Sequence, residues 1–306
     1  MELRGSTFLY KKERRTQQMI WLEKIHTYGR LIKFSHTVFA LPFALAAVLL
    51  ANRHHPVNLQ TLLLILVAMA SARSAAMGFN RLADFDYDRL NPRTAGRPHV
   101  SGQVDKLSVI IFIALSAAFF VLSAALLGRL CLFLSIPVLI VLFFYSYTKR
   151  FTSYCHLVLG FGIGLAPAGA WVAITGDLDP RVLLLSLALM TYIAGFDILY
   201  ACQDIEFDKA QALFSMPARW GVSRALLLST SLHVATFIFL LCLYFAFGLG
   251  KVYLLFLSLI TILLVAEHRL VRPDCLEKVN IAFFHMNSAI SVLIFLGVLA
   301  GTWWAL

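Results

Sequence analysis

The sequence predicts an all-α, polytopic membrane protein. We expect nine transmembrane helices, arranged as two four-helix halves plus one around a central cavity. The composition is the first reason, because 60% of the 306 residues are hydrophobic, more than a water-soluble domain of this length can bury. The second is that nine apolar stretches approach the ~20 residues that a helix needs to cross a bilayer. The third is a pair of polar segments, 120 residues apart, that end the second and sixth stretches with the same acidic spacing.

The nine apolar stretches alternate with loops whose charge follows a regular pattern. The stretches are residues 34–51, 59–79, 108–127, 130–147, 156–175, 182–202, 223–247, 252–266 and 281–304. The N-terminal segment and every second loop are rich in Lys and Arg, whereas the loops between them carry one basic residue each. This pattern predicts a multi-pass protein of the inner membrane with a cytoplasmic N-terminus and both acidic segments on the cytoplasmic side.

Charge distribution and cysteine spacing complete the description of the chain. We expect a cytoplasmic basic tail and interfacial helix over 1–33 and one membrane domain over 34–306, and a start at Met19 instead of Met1 stays open. The net charge of +10 does not predict a nucleic-acid partner, because the basic residues between apolar stretches indicate membrane topology. The basic N-terminal tail is expected to contact anionic membrane lipid. The five cysteines form no C-x-x-C pair and predict no zinc site.

The two polar segments hold six of the 16 acidic residues of the chain. Carboxylates beside hydrocarbon are costly, so they indicate a functional site. The principal positions are spaced i, i+4 and i+8 in each segment: Asn80, Asp84 and Asp88, then Tyr200, Asp204 and Asp208. This spacing puts each set on roughly one helix face. The shared spacing predicts two related halves whose acidic faces converge on a cavity, and chance similarity between two Asp-rich loops is the alternative.

Repeated Asp-x-x-x-Asp pairs beside a membrane predict Mg²⁺ and a phosphorylated, lipid-soluble substrate. The predicted metal ligands are Asp84, Asp88, Asp204 and Asp208, and Asn80 adds a neutral ligand or a donor. The basic residues expected to contact phosphate are Arg97, Lys149, Arg93 and Arg150. Asp86 and Glu206 are out of phase with these positions and should have solvated or supporting roles. The alternative is that all these acids are solvated loop residues paired with local arginines.

Polar residues deeper in the apolar stretches follow the same reasoning. Arg73 and Asp197 each lie seven residues before a principal position. Arg73 should either pair with Asp197 or bind an acidic acceptor substrate, and a purely structural Arg–Asp pair stays open. Tyr145 and Lys149, spaced i, i+4, should face the same cavity, where Tyr200 is a further substrate-binding candidate. The glycine-rich fifth stretch predicts close helix packing or a widened lipid channel.

These motifs resemble the signatures of the UbiA-type membrane prenyltransferases, over nearly all of the chain from about residue 30. The similar segments are Asn80-x-x-x-Asp84-x-x-x-Asp88, Thr94-Ala95-Gly96-Arg97-Pro98, Tyr145-x-x-x-Lys149 and Asp204-x-x-x-Asp208. The resemblance implies Mg²⁺-dependent transfer of a polyprenyl chain from its diphosphate to an aromatic acid acceptor. It implies ionisation of the allylic diphosphate, attack by a ring carbon ortho to a hydroxyl, and loss of a proton.

The resemblance leaves two acceptors open. The D-x-x-Y-A stretch that starts at Asp197 resembles the 4-hydroxybenzoate branch of ubiquinone biosynthesis. The segments FSHTVFALPFALA and CQDIEFD resemble enzymes of the futalosine menaquinone route, which are expected to prenylate 1,4-dihydroxy-6-naphthoate. Arg73 suits the carboxylate of either acceptor.

The residues fit two other classes of membrane protein less well. A cation-coupled secondary transporter would use the acids as ion sites, but transporters usually bind near the midplane through broken helices. Here the acids lie at helix ends, next to basic residues suited to phosphate. A CDP-alcohol phosphotransferase requires a D-G…A-R…G…D…D pattern, which neither acidic segment contains.

Overall fold

A computed structural model describes residues 23–271 and 285–304, apart from the side chains of residues 35, 36 and 38. All regular structure in these ranges is helical. The longer helices are α1 (Leu41–Asn52), α2 (Leu59–Ala83), α3 (Lys106–Leu127), α4 (Arg129–Thr148), α5 (Cys155–Thr175), α6 (Val182–Ala201), α7 (Val222–Phe247), α8 (Val252–Leu270) and α9 (Asn287–Trp303). Short helices span Phe85–Leu90, Ile205–Ala210 and Met216–Trp220.

The helices confirm the predicted all-helical membrane fold. Seven of the helices in the described ranges are long and apolar enough to cross a bilayer, while α1 and α9 have only 12 and 17 residues. Each predicted stretch contains one of α1 to α9, but nine complete spans stay a prediction. Residues 23–31, part of the predicted interfacial segment, are helical. The predicted basic tail over residues 1–18 and the start of the ninth stretch lie outside the described residues.

The first predicted span is not one continuous helix. A 3₁₀ helix covers Phe34–Phe39, a turn follows at Ala40, and α1 begins at Leu41. Pro42 lies in the first turn of α1. Proline lacks a backbone N–H, which a first turn does not need, and its fixed φ favours a helix start. The prediction of a helix over 34–51 was therefore wrong at its N-terminal half.

Helix α6 is the central helix of the bundle. It packs between α5 and α7, and most of its 20 residues are buried. Consecutive helices from α2 to α9 contact one another, and α9 returns to α1, which also packs against α5. A Cβ at Gly160 would meet the carbonyl oxygen of Met190, and one at Gly164 would meet that of Ser186. These two glycines therefore confirm the predicted close packing of the fifth stretch.

Each acidic segment bends at the second of its three principal positions, Asp84 in the first segment and Asp204 in the second. Asp84 separates α2 from the helix Phe85–Leu90 with φ −94° and ψ 11°. Asp204 precedes the helix Ile205–Ala210 with φ −105° and ψ 10°. The sequence had predicted that the acidic positions of each segment share one helix face. The bends show that they do not lie on one straight helix. The matching bends at equivalent positions support the internal repeat.

Candidate active site

Residues from both acidic segments line one polar cavity of about 160 Å³. The carboxylate and amide side chains in its wall belong to Asn80, Asp84, Asp88, Asn91 and Asp204. The basic side chains belong to Arg81, Arg93, Arg97, Lys149 and Arg150. The prediction that the two acidic segments converge on one cavity is confirmed.

Two further cavities adjoin the polar cavity. One, of about 120 Å³, is lined by residues that include Lys149, Asp197 and Tyr200. The other, of about 210 Å³, is almost entirely apolar, and Arg73 lies in its wall. Asn80 and Tyr145 line all three cavities, so the polar and apolar spaces meet at these two side chains.

Asp88 faces two basic groups from the loop that follows it. Arg97 Nη1 donates to both carboxylate oxygens at 2.6 and 2.5 Å, and His99 Nε2 lies 3.2 Å from Oδ2. Burial would raise the pKa of Asp88, but the hydrogen bond from His99 and the charge of Arg97 outweigh it and lower the pKa. Thr94 Oγ1 donates to the main-chain oxygen of Asp88 at 2.9 Å. The Thr94–Pro98 segment is thereby folded back onto the first acidic segment.

Asp204 receives its partners from the same loop. Arg93 donates through Nε at 2.9 Å and Nη2 at 2.5 Å, and Asn91 Nδ2 donates at 3.1 Å. Arg93 Nη1 also donates to the hydroxyl of Tyr200 at 2.9 Å. The loop after the first acidic segment therefore links the two halves of the site.

Asp84 is the most exposed of the four predicted metal ligands, with 30% of its side chain accessible. Asn80 Nδ2 donates to it at 2.8 Å, and Arg150 Nη2 lies 3.7 Å away. Burial, together with the charge of Asp88, raises the pKa of Asp84. Arg150 also stacks over the rings of Tyr87 and Tyr147.

Asp208 does not face water, which corrects the expectation from its spacing. Its side chain is fully buried, with Lys149 Nζ at 2.7 Å and Ser215 Oγ donating at 2.5 Å. It is absent from the walls of all three cavities. The bend at Asp204 redirects the following helix and turns Asp208 under Lys149. Burial would lower the pKa of Lys149, but the charge of Asp208 outweighs it and raises the pKa.

The oxygen donors in the polar cavity are of the type that Mg²⁺ prefers. In the part of the chain that the structure describes, no three acidic, His or Cys side chains surround one point closely enough to hold an ion. Each of the four predicted carboxylate ligands instead faces a Lys or Arg side chain. The donor chemistry therefore fits Mg²⁺, and the ion pairs must open before the carboxylates can bind it.

Arg73 and Asp197 do not form the pair considered from the sequence. Arg73 Nη2 donates to the main-chain oxygen of Lys33 at 3.3 Å, and its buried Nε has no hydrogen-bond partner among the residues that the structure describes. Asp197 Oδ2 lies 2.7 Å from His156 Nδ1. The pairing failed because a left-handed turn at Lys33, with φ 47°, presents a carbonyl to Arg73, while α5 brings His156 to Asp197.

Lys33 is a site residue that the sequence did not reveal. Its Nζ lies 3.4 Å from the hydroxyl of Tyr200. Burial, with the nearby charges of Arg81 and Arg97, lowers its pKa to about 7. In the sequence it is one of several basic residues before the first span, where it indicates topology only. Other site residues that the sequence did not single out are Asn91, His99 and Ser215.

Comparisons with known proteins agree with the motif resemblance. The pattern of the UbiA prenyltransferase family matches residues 40–289. A 4-hydroxybenzoate octaprenyltransferase of Aeromonas salmonicida is 30% identical over 241 residues, which cover 79% of this chain and 83% of that protein. The apo structure of a UbiA homologue from Aeropyrum pernix K1 superposes with a TM-score of 0.79 at 33% identity, covering 87% of this chain and 98% of the other.

A more distant solved structure shares the fold. It is a UbiA homologue from Archaeoglobus fulgidus bound to DMAPP and Mg²⁺, with a TM-score of 0.65 and 21% identity, covering 90% of this chain and 99% of that one. These matches favour a prenyltransferase over a transporter. The chain belongs to the UbiA prenyltransferase family and is a membrane-embedded enzyme.

Proposed function

We propose that the protein transfers a polyprenyl group from polyprenyl diphosphate to the ring of 4-hydroxybenzoate, with Mg²⁺, in ubiquinone biosynthesis. The reaction would take place at the cytoplasmic side of the inner membrane. The observation that carries this proposal is the meeting of three cavities at Asn80 and Tyr145. One cavity has charged walls, one is apolar and one is small and polar. The charged cavity suits the diphosphate, the apolar cavity suits the prenyl chain, and the small polar cavity suits the aromatic ring.

The charged cavity suits the diphosphate. Mg²⁺, when bound, would be held by carboxylate oxygens of this cavity and would stabilise the negative charge that develops on the leaving diphosphate. Its proposed ligands are Asp84, Asp88 and Asp204, which line this cavity, with Asn80 as a neutral neighbour. Asp208, predicted from the sequence as a fourth ligand, lies outside the wall and would instead hold Lys149. Arg93, Arg97 and Arg150 would exchange their carboxylate partners for phosphate oxygens, to which Arg binds with two parallel hydrogen bonds. Lys149 would add a hydrogen bond to phosphate while it stays paired with Asp208. The homologue bound to DMAPP and Mg²⁺ supports this assignment.

The apolar cavity suits the prenyl chain. Its wall includes small residues along two helices, among them Ala72 and Ala76 on α2 and Gly162, Ala166 and Gly169 on α5. These leave room for a hydrocarbon chain that runs from Asn80 and Tyr145 into the membrane region. Such a wall also keeps water from the allylic carbon when the diphosphate leaves. Gly162 and Gly169 thus support the widened-channel interpretation of the fifth stretch.

The acceptor would lie between Asp197 and Arg73. Tyr200 and Asp197 are in the wall of the small polar cavity, and Arg73 lies two helical turns from Asn80 on α2. The buried Nε of Arg73, which has no partner in the described part of the chain, can donate to a carboxylate. A second candidate acceptor is 1,4-dihydroxy-6-naphthoate, which the segments over 34–46 and 202–208 favour by their resemblance to the futalosine-route enzymes.

The function is tested by a competition assay with purified protein, Mg²⁺ and radiolabelled polyprenyl diphosphate. The two acceptors are offered together at equal concentration. We expect labelled product from 4-hydroxybenzoate in excess over the naphthoate product, and none after chelation of Mg²⁺. Transfer to the naphthoate alone would reassign the acceptor, and no transfer to any aromatic acid would overturn the proposal.

Replacing Arg73 by alanine should weaken acceptor binding. A hydrogen bond to a charged group contributes about 1.5–3 kcal/mol, so KM for 4-hydroxybenzoate should rise ~10- to 100-fold. KM for the diphosphate should change little, because Arg73 is not in the wall of the charged cavity. Steady-state kinetics with each substrate varied checks this. Arg73→Lys, which keeps the charge, should lose less, and an unchanged acceptor KM in Arg73→Ala would remove Arg73 from the site.

Replacing Gly169 by phenylalanine should shorten the prenyl chain that the enzyme accepts. A Cβ at this position meets nothing within 4 Å, so the larger side chain enters the apolar cavity without disturbing helix packing. The ratio of kcat/KM for a long donor to that for geranyl diphosphate should fall at least ~10-fold, because the phenylalanine ring would occupy space that the far methylenes of a long chain need. Gly169→Ala is the matched control and should keep the wild-type ratio. An unchanged ratio in Gly169→Phe would exclude the chain from this part of the cavity.

A further inference from the structure

Asp197 differs from the other carboxylates of the site. Asp84, Asp88, Asp204 and Asp208 each lie within 4 Å of a Lys or Arg nitrogen. In the described part of the chain, Asp197 has an ion-pair contact with a histidine and with no Lys or Arg. It is therefore the site carboxylate whose charge is not already matched by a strongly basic side chain.

The histidine that holds Asp197 is itself held. His156 has 3% of its side chain exposed, and its Nδ1 lies 2.7 Å from Asp197 Oδ2. The main-chain N–H of Met216 donates to His156 Nε2 at 3.4 Å. Because the carboxylate oxygen at 2.7 Å is an acceptor, we assign a ring proton to Nδ1, which donates to Asp197. His156 thus fixes one oxygen of the carboxylate.

The other oxygen of Asp197 is available. No hydrogen bond to Oδ1 occurs among the described residues, and 23% of the side chain is accessible. Asp197 is in the wall of the 120 Å³ cavity, which also contains the junction residues Asn80 and Tyr145. The Asp197 side chain therefore lines the space assigned to the aromatic ring, and one of its oxygens has no hydrogen-bond partner among the described residues.

We propose that Asp197 is the base that takes the ring proton of the acceptor, an inference that rests on the proposed function. The C–O bond of the allylic diphosphate breaks, and its electron pair leaves with the diphosphate. A ring π pair then forms the new C–C bond at the carbon ortho to the hydroxyl. The proton on that carbon passes to Asp197 Oδ1, and the C–H pair restores the aromatic ring. His156 is a positioning residue that keeps Oδ1 directed at the cavity.

The other groups near the ring are less suited to this role. Lys149 is paired with Asp208 at 2.7 Å, and the other predicted metal ligands lie within 4 Å of a Lys or Arg nitrogen. Tyr145 and Tyr200 carry hydroxyl groups, which are weak bases in the neutral form. Asp197 combines a free oxygen, a negative charge and a place in the wall of the cavity.

The test uses Asp197→Asn, which keeps the size of the side chain and removes the base. Positioned general bases contribute ~10²- to 10⁴-fold, so kcat should fall by at least ~10²-fold. 4-Hydroxybenzoate deuterated at both positions ortho to the hydroxyl should react at the normal rate with wild type. With Asp197→Asn it should show a primary isotope effect on kcat, because proton loss becomes rate-limiting. Asp179→Asn, a carboxylate paired with Arg181 between α5 and α6, is the control and should behave as wild type.

The variants of His156 test its positioning role. Asparagine offers an N–H donor in place of Nδ1, whereas alanine offers none, so His156→Asn should retain more activity than His156→Ala. His156→Ala should also show the isotope effect. Thermal unfolding of each detergent-solubilised variant identifies any that fail to fold, and Asp197→Asn alone suffices for the test of the base.

The outcomes separate this inference from the proposed function. Suppose that wild type prenylates the acceptor. If the kcat of Asp197→Asn is then within about twofold of the wild-type kcat, or is lower but shows no isotope effect, Asp197 is not the base. If wild type prenylates no aromatic acid, the proposed function fails and the base assignment fails with it.

Discussion

Asp84→Asn should lower kcat by about 10³-fold while the protein stays folded. Removing one preorganised charge-stabilising group from an active site typically costs about 10²- to 10³-fold in rate, and a lost metal ligand belongs at the upper end. The fold should tolerate the change because the side chain is 30% exposed and an asparagine can still accept the hydrogen bond from Asn80. Radiolabelled prenyl transfer gives the rate, and thermal unfolding in detergent reports the fold.

Asp86→Asn is the matched control for this prediction. Asp86 belongs to the same segment, but it is exposed and is not in the wall of any of the three cavities. It should retain wild-type turnover. Full activity in Asp84→Asn would remove Asp84 from the metal site, and equal losses in both variants would indicate a general charge effect instead of a specific ligand.

Asp208→Ala should reduce both stability and turnover. Asp208 is fully buried between Lys149 and Ser215, and the main-chain N–H of Leu213 donates to its carbonyl at 2.8 Å. Removing one partner of a fully buried ion pair typically costs about 3–5 kcal/mol, and the cost should be smaller here because 35% of the Lys149 side chain is exposed. We therefore expect a markedly lower Tm in detergent, together with loss of prenyl transfer.

Two variants separate the structural effect from the chemical one. Asp208→Asn can still accept from Ser215 and should recover part of the Tm without recovering turnover. Glu206→Ala changes an exposed acid of the same helix, whose nearest partner is Lys209 at 3.5 Å, and should alter neither property. A wild-type Tm in Asp208→Ala would contradict the buried ion pair.

The fold was largely predictable because its signals are periodic and local. Hydrophobic stretches of sufficient length located all nine longer helices, since a bilayer leaves a chain few alternatives to helix. The break before α1 also has a local signal, Pro42, which was available in the sequence. The bends at Asp84 and Asp204 have no such signal, because neither is accompanied by glycine or proline.

The identity of the site residues was more predictable than their partners. The repeated spacing identified Asp84, Asp88 and Asp204, which line one cavity. The pairing of Asp197 with His156 could not be derived, because it depends on how α5 packs against α6. Lys33 enters the site only through a left-handed turn between two helices, and nothing in its neighbours indicates that conformation. Hydrogen-bond partners that are 40 or more residues apart in the sequence, such as Arg73 with Lys33 and His156 with Asp197, are determined by how the helices pack. The spacing within one segment does not encode that packing.

We propose that the two acidic segments and their basic neighbours form one Mg²⁺-dependent diphosphate site. Calorimetric titration of geranyl diphosphate into the purified protein tests it without relying on turnover. We predict binding in the presence of Mg²⁺, little or none in EDTA, and loss of the Mg²⁺-dependent binding in Asp84→Asn. Equal affinity with Mg²⁺ and with EDTA would contradict the account.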